Sequence, residues 1–454
     1  MNESSHVKAH VTTAPSLEQL PVAQIERLSH EGRGIARVDG KTIFIQGALA
    51  GETVSFRYKR KKKQFDEGEV VSILSASPFR VEPRCPNFSR CGGCSMQHLE
   101  GKEQLRQKHL FLLDLLERIG QCAPENVLEP LESDLWHYRN KARLGVKYVA
   151  KKESCLVGFR EKDHPAFITD MMECSILNRQ LDAQLPALRA LIAALDNPRS
   201  IPQIEVAVGN EEVACIFRHL EPLSVEDHEK LRDFGKQSKF RIYLQAKGPD
   251  SIQLLYPDNV ENFLQYSLPH EGITFQFQPT DFFQINAGLN QAMVTRVLEL
   301  MDLKEDDVVL DLFCGLGNFS LPIAKRCAAV IGIEGDERMV RLAATNAKNN
   351  DLKNVRFLCQ DLYKTLVAPV PKLTHVLLDP PRSGAFEVVK QMDHLSPKRV
   401  VYVSCNPATL ARDAEILVHE KGYQLRAAGV LDMFPQTAHV ESVAVFDRMI
   451  NDNG

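Results

Sequence analysis

Cys405 lies in VSCNPATLARD, Val403 to Asp413, just past a run of strand-forming residues. That position predicts a thiol at the carboxyl edge of a sheet, where ligands bind in open α/β folds. Pro407 ends the strand and ATLARD can open a helix, whose N-terminal dipole favours a thiolate. A strand cysteine is ordinarily inert core; the polar flanks Ser404 and Asn406 and the turn-forming Pro407 set this one apart. Three companion motifs carry further candidates. LLDPPRSG, Leu377 to Gly384, ends a strand in Asp379 and follows it with the rigid Pro380-Pro381 pair and Arg382. FPQTAHVE, Phe434 to Glu441, delivers Glu441 to the sheet edge as a candidate base. PTDFFQINAGLNQ, Pro279 to Gln291, sets the amides Gln284 and Asn286 among apolar and aromatic neighbours. A nucleophilic thiol with a base nearby is the equipment of covalent catalysis.

Val308 to Leu321 reads VVLDLFCGLGNFSL: a buried strand ending in Asp311, a turn with Gly315 and Gly317, then a helix. Such glycines let a ligand approach the backbone closely. The next strand, AAVIGIE, ends in Glu334, 23 residues after Asp311, where a carboxylate can bond both hydroxyls of a ribose. A third strand ends in Asp361, which can accept from an adenine amine. Three acids at successive strand ends suit S-adenosylmethionine better than a dinucleotide. The pyrophosphate fingerprint is incomplete, since Ser320 stands where its third glycine would fall. An α/β domain for some other nucleotide is the competing reading.

A second constellation is RCPNFSRCGGCSM, with Cys85, Cys91 and Cys94 spaced for a soft metal centre and Gly92 and Gly93 free to wrap it. A fourth ligand is needed, and Cys174 is preferred over Cys122 and Cys155. On spacing alone zinc and an iron–sulfur cluster are equally served.

The elements that position these residues fall in three zones: an OB-like β-barrel over 16–77, a central α+β domain over 78–271 and a C-terminal α/β domain over 272–454. In the first, five short strands alternate with glycine turns. Its run Arg57 to Phe65, RYKRKKKQF, is either a solvated hairpin or a track for an RNA backbone; the zone resembles a TRAM domain, an RNA-binding module. The second opens with the cysteine cluster and an amphipathic helix, Glu103 to Ile119, whose apolar face holds Leu105, Leu112, Leu115, Leu116 and Ile119; this helix is expected to pack on the C-terminal domain. In the third, strands alternate with helices in the pattern of a doubly wound, Rossmann-like sheet. The 454 residues carry a net charge of −4, so a nucleic-acid surface must be local. No run of apolar residues is long enough for a membrane span. The polar N-terminus reads as a short disordered tail rather than a signal peptide, and 11 cysteines without such a peptide point to the reducing cytoplasm.

Together DLFCGLGNFSL, DPPRSG, SCNPATLARD and FPQTAHVESV resemble the uracil-5 RNA methyltransferase family, and the resemblance covers essentially the whole chain. It implies a class I methyltransferase domain and S-adenosylmethionine as methyl donor. It makes Cys405 the nucleophile and Glu441 the general base, with Gln284, Phe313, Asn318, Glu334, Asp361 and Asp379 at the cofactor positions. A subset of the family carries a [4Fe-4S] cluster on this cysteine pattern, which implies Cys85, Cys91, Cys94 and Cys174 as its ligands. Cluster and TRAM domain together imply 23S rRNA as the substrate; a monomer is the expected working form, although the sequence does not give the oligomeric state. Two alternatives are a non-catalytic RNA-binding iron–sulfur protein and the same chemistry on tRNA.

Overall fold

A computed structural model describes residues 20–248, 251–366 and 372–449; the expected N-terminal tail falls on residues 1–19, outside them. The described chain forms two compact units.

The first unit holds the residues up to Glu82 and His98–Glu100. Its strands are β1 (Val22–Gln24), β2 (Arg27–Leu28), β3 (Gly34–Val38), β4 (Lys41–Gln46), β5 (Thr53–Lys61) and β6 (Phe65–Ser75). They form one sheet in the order β1-β5-β6-β4-β3-β2. Five strands were expected; the sixth arises because the first segment breaks at Ile25–Glu26. There the Ile25 N–H donates to the Glu52 carbonyl and the Glu26 N–H to the Ile35 carbonyl, so the two sheet ends meet. Alternation puts Ala36, Ile43, Ile45, Val54 and Phe56 in a small core. The basic run occupies the end of β5 and the turn beyond it. Its charges meet acids of β6: Arg57 lies 3.4 Å from Glu69 and Lys62 3.0 Å from Glu67. Lys61 and Lys62 lie over the rings of Tyr58 and Phe65 at 4.2 and 4.6 Å.

The second unit begins with the cysteine segment Pro83–Gln97 and resumes at Gly101. It continues through α1 (Gly101–Arg118), β7 (Asn126–Val127), β8 (Lys141–Val149), β9 (Ser154–Gly158), α2 (Arg179–Ala193), β10 (Gln203–Val208), β11 (Val213–Arg218), α3 (Val225–Ser238), β12 (Arg241–Gln245), β13 (Ile252–Tyr256), β14 (Leu264–Leu268) and β15 (Ile273–Phe277). Six of these strands make a sheet ordered β13-β12-β11-β10-β8-β9, covered by α2 and α3 through Leu181, Leu185, Leu188, Leu231 and Phe234. β14 and β15 form a separate hairpin.

The rest comprises α4 (Ala287–Met301), β16 (Val308–Leu312), α5 (Ser320–Ala324), β17 (Ala329–Glu334), α6 (Glu337–Asn349), β18 (Val355–Cys359), β19 (His375–Leu378), α7 (Phe386–Val389), α8 (Met392–Leu395), β20 (Arg399–Ser404), α9 (Pro407–His419), β21 (Tyr423–Leu431) and β22 (Glu441–Arg448). The sheet runs β18-β17-β16-β19-β20-β22-β21-β7. Its first five strands are parallel and β22 enters antiparallel between β20 and β21. Parallel strands covered on both faces need near-continuous Val, Ile and Leu, which β16, β17, β19 and β20 supply. Helix α1 joins this domain's core, with Leu105, Leu112 and Leu116 in one cluster with Leu410, Ala411 and Ala414 of α9. Ile119, expected on that face, is exposed because the helix ends at Arg118. Among the described residues no helix is long and apolar enough to cross a membrane.

Candidate active site and cysteine pocket

The carboxyl ends of β16, β17, β19 and β20 converge on one edge. Register pairs Leu312 with Leu378, and Leu378 with Tyr402, so the residues that follow these strands project to the same rim. Ser404 pairs with Ser442 across β20 and β22, which puts Cys405 and Glu441 side by side where the two strands meet. The electrostatics agree. Burial first, then the Glu441 and Asp379 carboxyls, push the Cys405 thiol up to about 11 against the opposing charge of Arg382. Burial also holds the Glu441 carboxyl well above the ordinary carboxylate range, with Asp379 adding to the shift and Arg382 reducing it. Asp379 is pushed up to about 7 by burial. Burial and the two acids thus act against the thiolate that the N-terminus of α9 favours.

The Asp379-Pro-Pro-Arg382 loop is anchored from α9. Asn406, which caps α9, donates its side-chain N–H to the Arg382 carbonyl at 2.9 Å, and Arg412 donates to the Ser383 carbonyl at 3.1 Å. Asp413 is fully buried and accepts from the Ala385 N–H and the Tyr402 hydroxyl, both at 2.7 Å. Gly384 adopts φ +78°, and a Cβ there would fall 2.6 Å from the Arg412 guanidinium. The ARD of the motif is thus a clamp on this loop, a role invisible in its spacing.

On the β16 side, Phe313 takes φ +64° and its N–H donates to the Ile333 carbonyl at 2.9 Å. Its ring lines a cleft with Leu362, Tyr363 and residues 383–387. Glu334 accepts from the N–H groups of Gly315, Gly335 and Asp336 at 3.1, 2.7 and 3.2 Å. Asp361 is exposed beside the cleft, holds the Tyr363 N–H at 3.0 Å and pairs with Lys364 at 3.1 Å. Asn318 is locked to Asn290 by reciprocal amide bonds of 2.9 and 3.0 Å and accepts from the Tyr266 hydroxyl at 2.9 Å. Gln284 is half-buried in the loop before α4. Asp311 is fully buried, and one carboxylate oxygen accepts from the Ser320 hydroxyl. Its other oxygen has no partner among the described residues. Burial, with Asp379 and Glu334 nearby, pushes Asp311 up to about 7. An orphaned buried acceptor within a ring of acids fits a cationic ligand that brings N–H and O–H donors, which is the character of S-adenosylmethionine.

A second feature was not legible in the sequence. The loop from Asp432 to Val440, which leads to Glu441, is held by α1 and by the residues just after Cys94. Lys108 Nζ lies 2.8 Å from the Asp432 carboxylate and 3.0 Å from the Phe434 carbonyl, with both side chains buried. The Gln104 amide donates to and accepts from Gln436, each at 3.0 Å. The N–H groups of Ser95 and Met96 both donate to the Gln436 carbonyl, the Ala438 N–H donates to Ser95 Oγ, and the Tyr138 hydroxyl to the Pro435 carbonyl. The one available signal was a pair of polar residues, Gln104 and Lys108, one turn apart on α1.

Cys85, Cys91, Cys94 and Cys174 line one pocket with Phe88, Phe159 and Met171. Burial first, with a contribution from neighbouring thiols of the set, pushes Cys94 and Cys174 up to about 12. Backbone N–H groups of Asn87, Gly93, Ile176 and Leu177 and the Gln97 side chain donate to these sulfurs. Cys155 is buried in β9 and Cys122 follows α1, both outside the pocket. Among the described residues no three His, Cys, Asp or Glu side chains converge on a single ion. Four thiols around one pocket, each met by hydrogen-bond donors, nevertheless form a donor set suited to a thiolate-ligated cluster.

Strand order and acid-rimmed edge define a Rossmann-like methyltransferase domain. The chain matches the family model described as tRNA (Uracil-5-)-methyltransferase over residues 100–362 and 369–449, and that of the TRAM domain over 22–71. It is 54% identical over 431 residues to the 23S rRNA (uracil(1939)-C(5))-methyltransferase RlmD of Legionella pneumophila, spanning 94% of this chain and 97% of the relative. It is 49% identical to the protein of the same name from Hahella chejuensis over 94% and 96% of the two chains. Among solved structures, the tRNA (uracil-54, C5)-methyltransferase of Pyrococcus abyssi in complex with S-adenosyl-L-homocysteine superposes with a TM-score of 0.71 at 27% identity, covering 94% of this chain and all of that one. The chain belongs to the uracil-5 RNA methyltransferase family.

Proposed function

We propose that this protein transfers the methyl group of S-adenosylmethionine to C5 of one uridine in 23S rRNA, giving 5-methyluridine. By likeness to relatives named for uracil 1939, the target is the corresponding nucleotide. The reading rests on Cys405 and Glu441 standing side by side where β20 meets β22, with Asp379 and Arg382 near enough to shift both. The Cys405 thiol gives its proton to solvent, its sulfur adds to C6 of the uracil, and the ring's electron pair moves onto the C4 oxygen as an enolate. C5, now nucleophilic, would bond to the donor's methyl carbon as that carbon's bond to sulfur breaks, the electron pair staying on sulfur as the neutral thioether of S-adenosylhomocysteine. S-adenosylmethionine, when bound, supplies an electrophilic methyl group and a positive charge. The Glu441 carboxylate takes the C5 proton, and the electron pair released expels the Cys405 thiolate. Gln284, Phe313, Asn318, Glu334, Asp361 and Asp379 would hold the donor, with the Asp311 oxygen as a further acceptor. A uridine must be unstacked to reach Cys405, at a cost of about a few kcal/mol. Contacts elsewhere on the RNA, including the basic run of the N-terminal barrel, offset that cost.

The same reading divides the chain at 16–77, 78–271 and 272–454 and makes it a cytoplasmic monomer. It gives Cys85, Cys91, Cys94 and Cys174 to a [4Fe-4S] cluster with a structural role, because methyl transfer moves no net electron. The decisive experiment compares variants on RNA carrying 5-fluorouridine, which has no C5 proton to lose. The parent chain should be trapped covalently and Cys405→Ala should not be. On ordinary RNA, Glu441→Gln should accumulate the methylated adduct. Turnover by Cys405→Ala would end the covalent mechanism. Iron content and visible absorbance of the anaerobically purified chain test the cluster; a colourless, zinc-loaded protein would overturn it.

A further inference from the structure

The second unit carries a recess distinct from the Cys405 edge, lined by Arg84, Trp136, His137, Asn178, Arg179 and Gln180, with Asp134 in its wall. Trp136 is the chain's single tryptophan. The Arg84 guanidinium lies 5.2 Å from its ring centroid. The floor is fixed: the His137 N–H donates to the Ser175 carbonyl at 2.8 Å, and its Nδ1 bonds the Leu177 carbonyl at 3.0 Å. Asn178 caps α2 by accepting from the Gln180 N–H at 3.0 Å, and donates its own side-chain N–H to Asn140 at 3.0 Å. Arg84, Arg179 and Gln180 are exposed at the mouth and Trp136 is half-buried.

An indole face, two guanidinium groups and the N-terminal end of a 15-residue helix make a combination suited to one ligand class. The indole stacks on a base, while Arg179 and the end of α2 take a phosphate. A bonded Nδ1 leaves His137 Nε2 to address a base edge. The recess is also tied to the candidate active site. Asn286 donates to Ser133 at 2.6 Å, the Asn140 N–H donates to the Ile285 carbonyl at 2.7 Å, and Tyr138 holds the loop before Glu441. We infer that this recess captures a second, unstacked nucleotide of the same RNA strand by stacking on Trp136, apart from the uridine that is methylated. The inference rests on the RNA substrate proposed above.

Because Trp136 is the sole tryptophan, its fluorescence reports this recess alone. The full chain is titrated with single-stranded substrate RNA, with a fully paired duplex of the same sequence and with uridine monophosphate. Single-stranded RNA should quench the emission, saturating at the concentration that saturates methylation. The duplex and the mononucleotide should not. Trp136→Leu and, separately, Arg84→Ala should raise KM for RNA about tenfold or more with little change in kcat or in donor affinity. RNA that is methylated with unquenched emission and unchanged KM in both variants would overturn the inference while leaving the methyltransferase reading intact. Equal quenching by uridine monophosphate would make this a mononucleotide site and overturn it too. RNA that neither binds nor is methylated would remove both.

Discussion

Replacing Lys108 by methionine should loosen the loop that carries Glu441 while keeping the fold of α1. Methionine preserves the apolar stem and the helix propensity. It removes the one cation, 2.8 Å away, from an Asp432 carboxylate that is only 5% exposed. It also removes the donor to the Phe434 carbonyl, 3.0 Å away. Stripping one partner from a buried pair costs about 3–5 kcal/mol, because the other charge stays desolvated. At about 1.4 kcal/mol per tenfold, a penalty confined to the loop raises its opening constant by at least on the order of 100-fold. Hydrogen exchange should register this at the amides of 432–440, including those of Gln436 and Ala438, which are bonded to α1 and to the segment after Cys94. Urea unfolding should fall by a similar energy if the loop opens only with the whole unit. Adding Asp432→Asn to Lys108→Met removes the stranded charge and should restore much of the stability. The kcat of Lys108→Met should drop with KM for the methyl donor little altered, since the acids of β16 and β17 are untouched. Unchanged loop exchange together with a destabilisation under about 1 kcal/mol would refute the clamp.

Charge governs three further outcomes. Asp311 and Asp379 are pushed up to about 7, while an unfolded aspartate titrates near about 4. The folded chain therefore holds these protons more tightly, and their contribution to stability is full below about pH 4 and is lost as pH rises to about 7. S-adenosylmethionine carries a sulfonium charge that S-adenosylhomocysteine lacks, so calorimetry should find its relative affinity rising as pH passes through about 7 and the acids ionise; identical pH profiles would contradict the acid-ring reading. Replacing Lys59 to Lys63 by alanine should weaken RNA binding and flatten its salt dependence by roughly 0.7–0.9 in log–log slope for each phosphate no longer neutralised. An unchanged slope would assign the run entirely to its ion pairs with β6.

The strands around the site were legible because a parallel sheet buried on both faces demands unbroken apolar runs, which punctuate the chain between Val308 and Arg448. The acids and the thiol were legible as the polar residues that end those runs. Strand order was not. Glu441 lies beside Cys405 only because β22 inserts antiparallel next to β20, a pairing between residues nearly 40 positions apart that no local periodicity encodes. The polar contacts of α1 were hidden for a related reason. Gln104 and Lys108 interrupt an apolar stripe at helical spacing, and only the arrival of Asp432 and Gln436 from more than 300 residues away turns them into hydrogen-bond partners. The sixth barrel strand depended likewise on where Ile25 and Glu26 find their backbone partners.

The thiol's protonation is where local reasoning and tertiary structure part most sharply. A helix N-terminus stabilises an adjacent negative charge by up to about 2 kcal/mol, equivalent to little more than one pKa unit. Around Cys405 that contribution competes with burial and with two carboxyls, and the balance leaves the thiol near 11. In the free chain burial and the neighbouring carboxyls therefore disfavour the Cys405 thiolate, and burial with Asp379 holds the Glu441 carboxyl well above the ordinary carboxylate range. Both shifts oppose the charged forms that the proposed reaction uses, and positive charge brought to this edge would favour them. Arg382 supplies part of it from within the chain. A sulfonium donor bound beside Asp311 and Asp379 would supply the rest, lowering the pKa values of these two acids and of the thiol together.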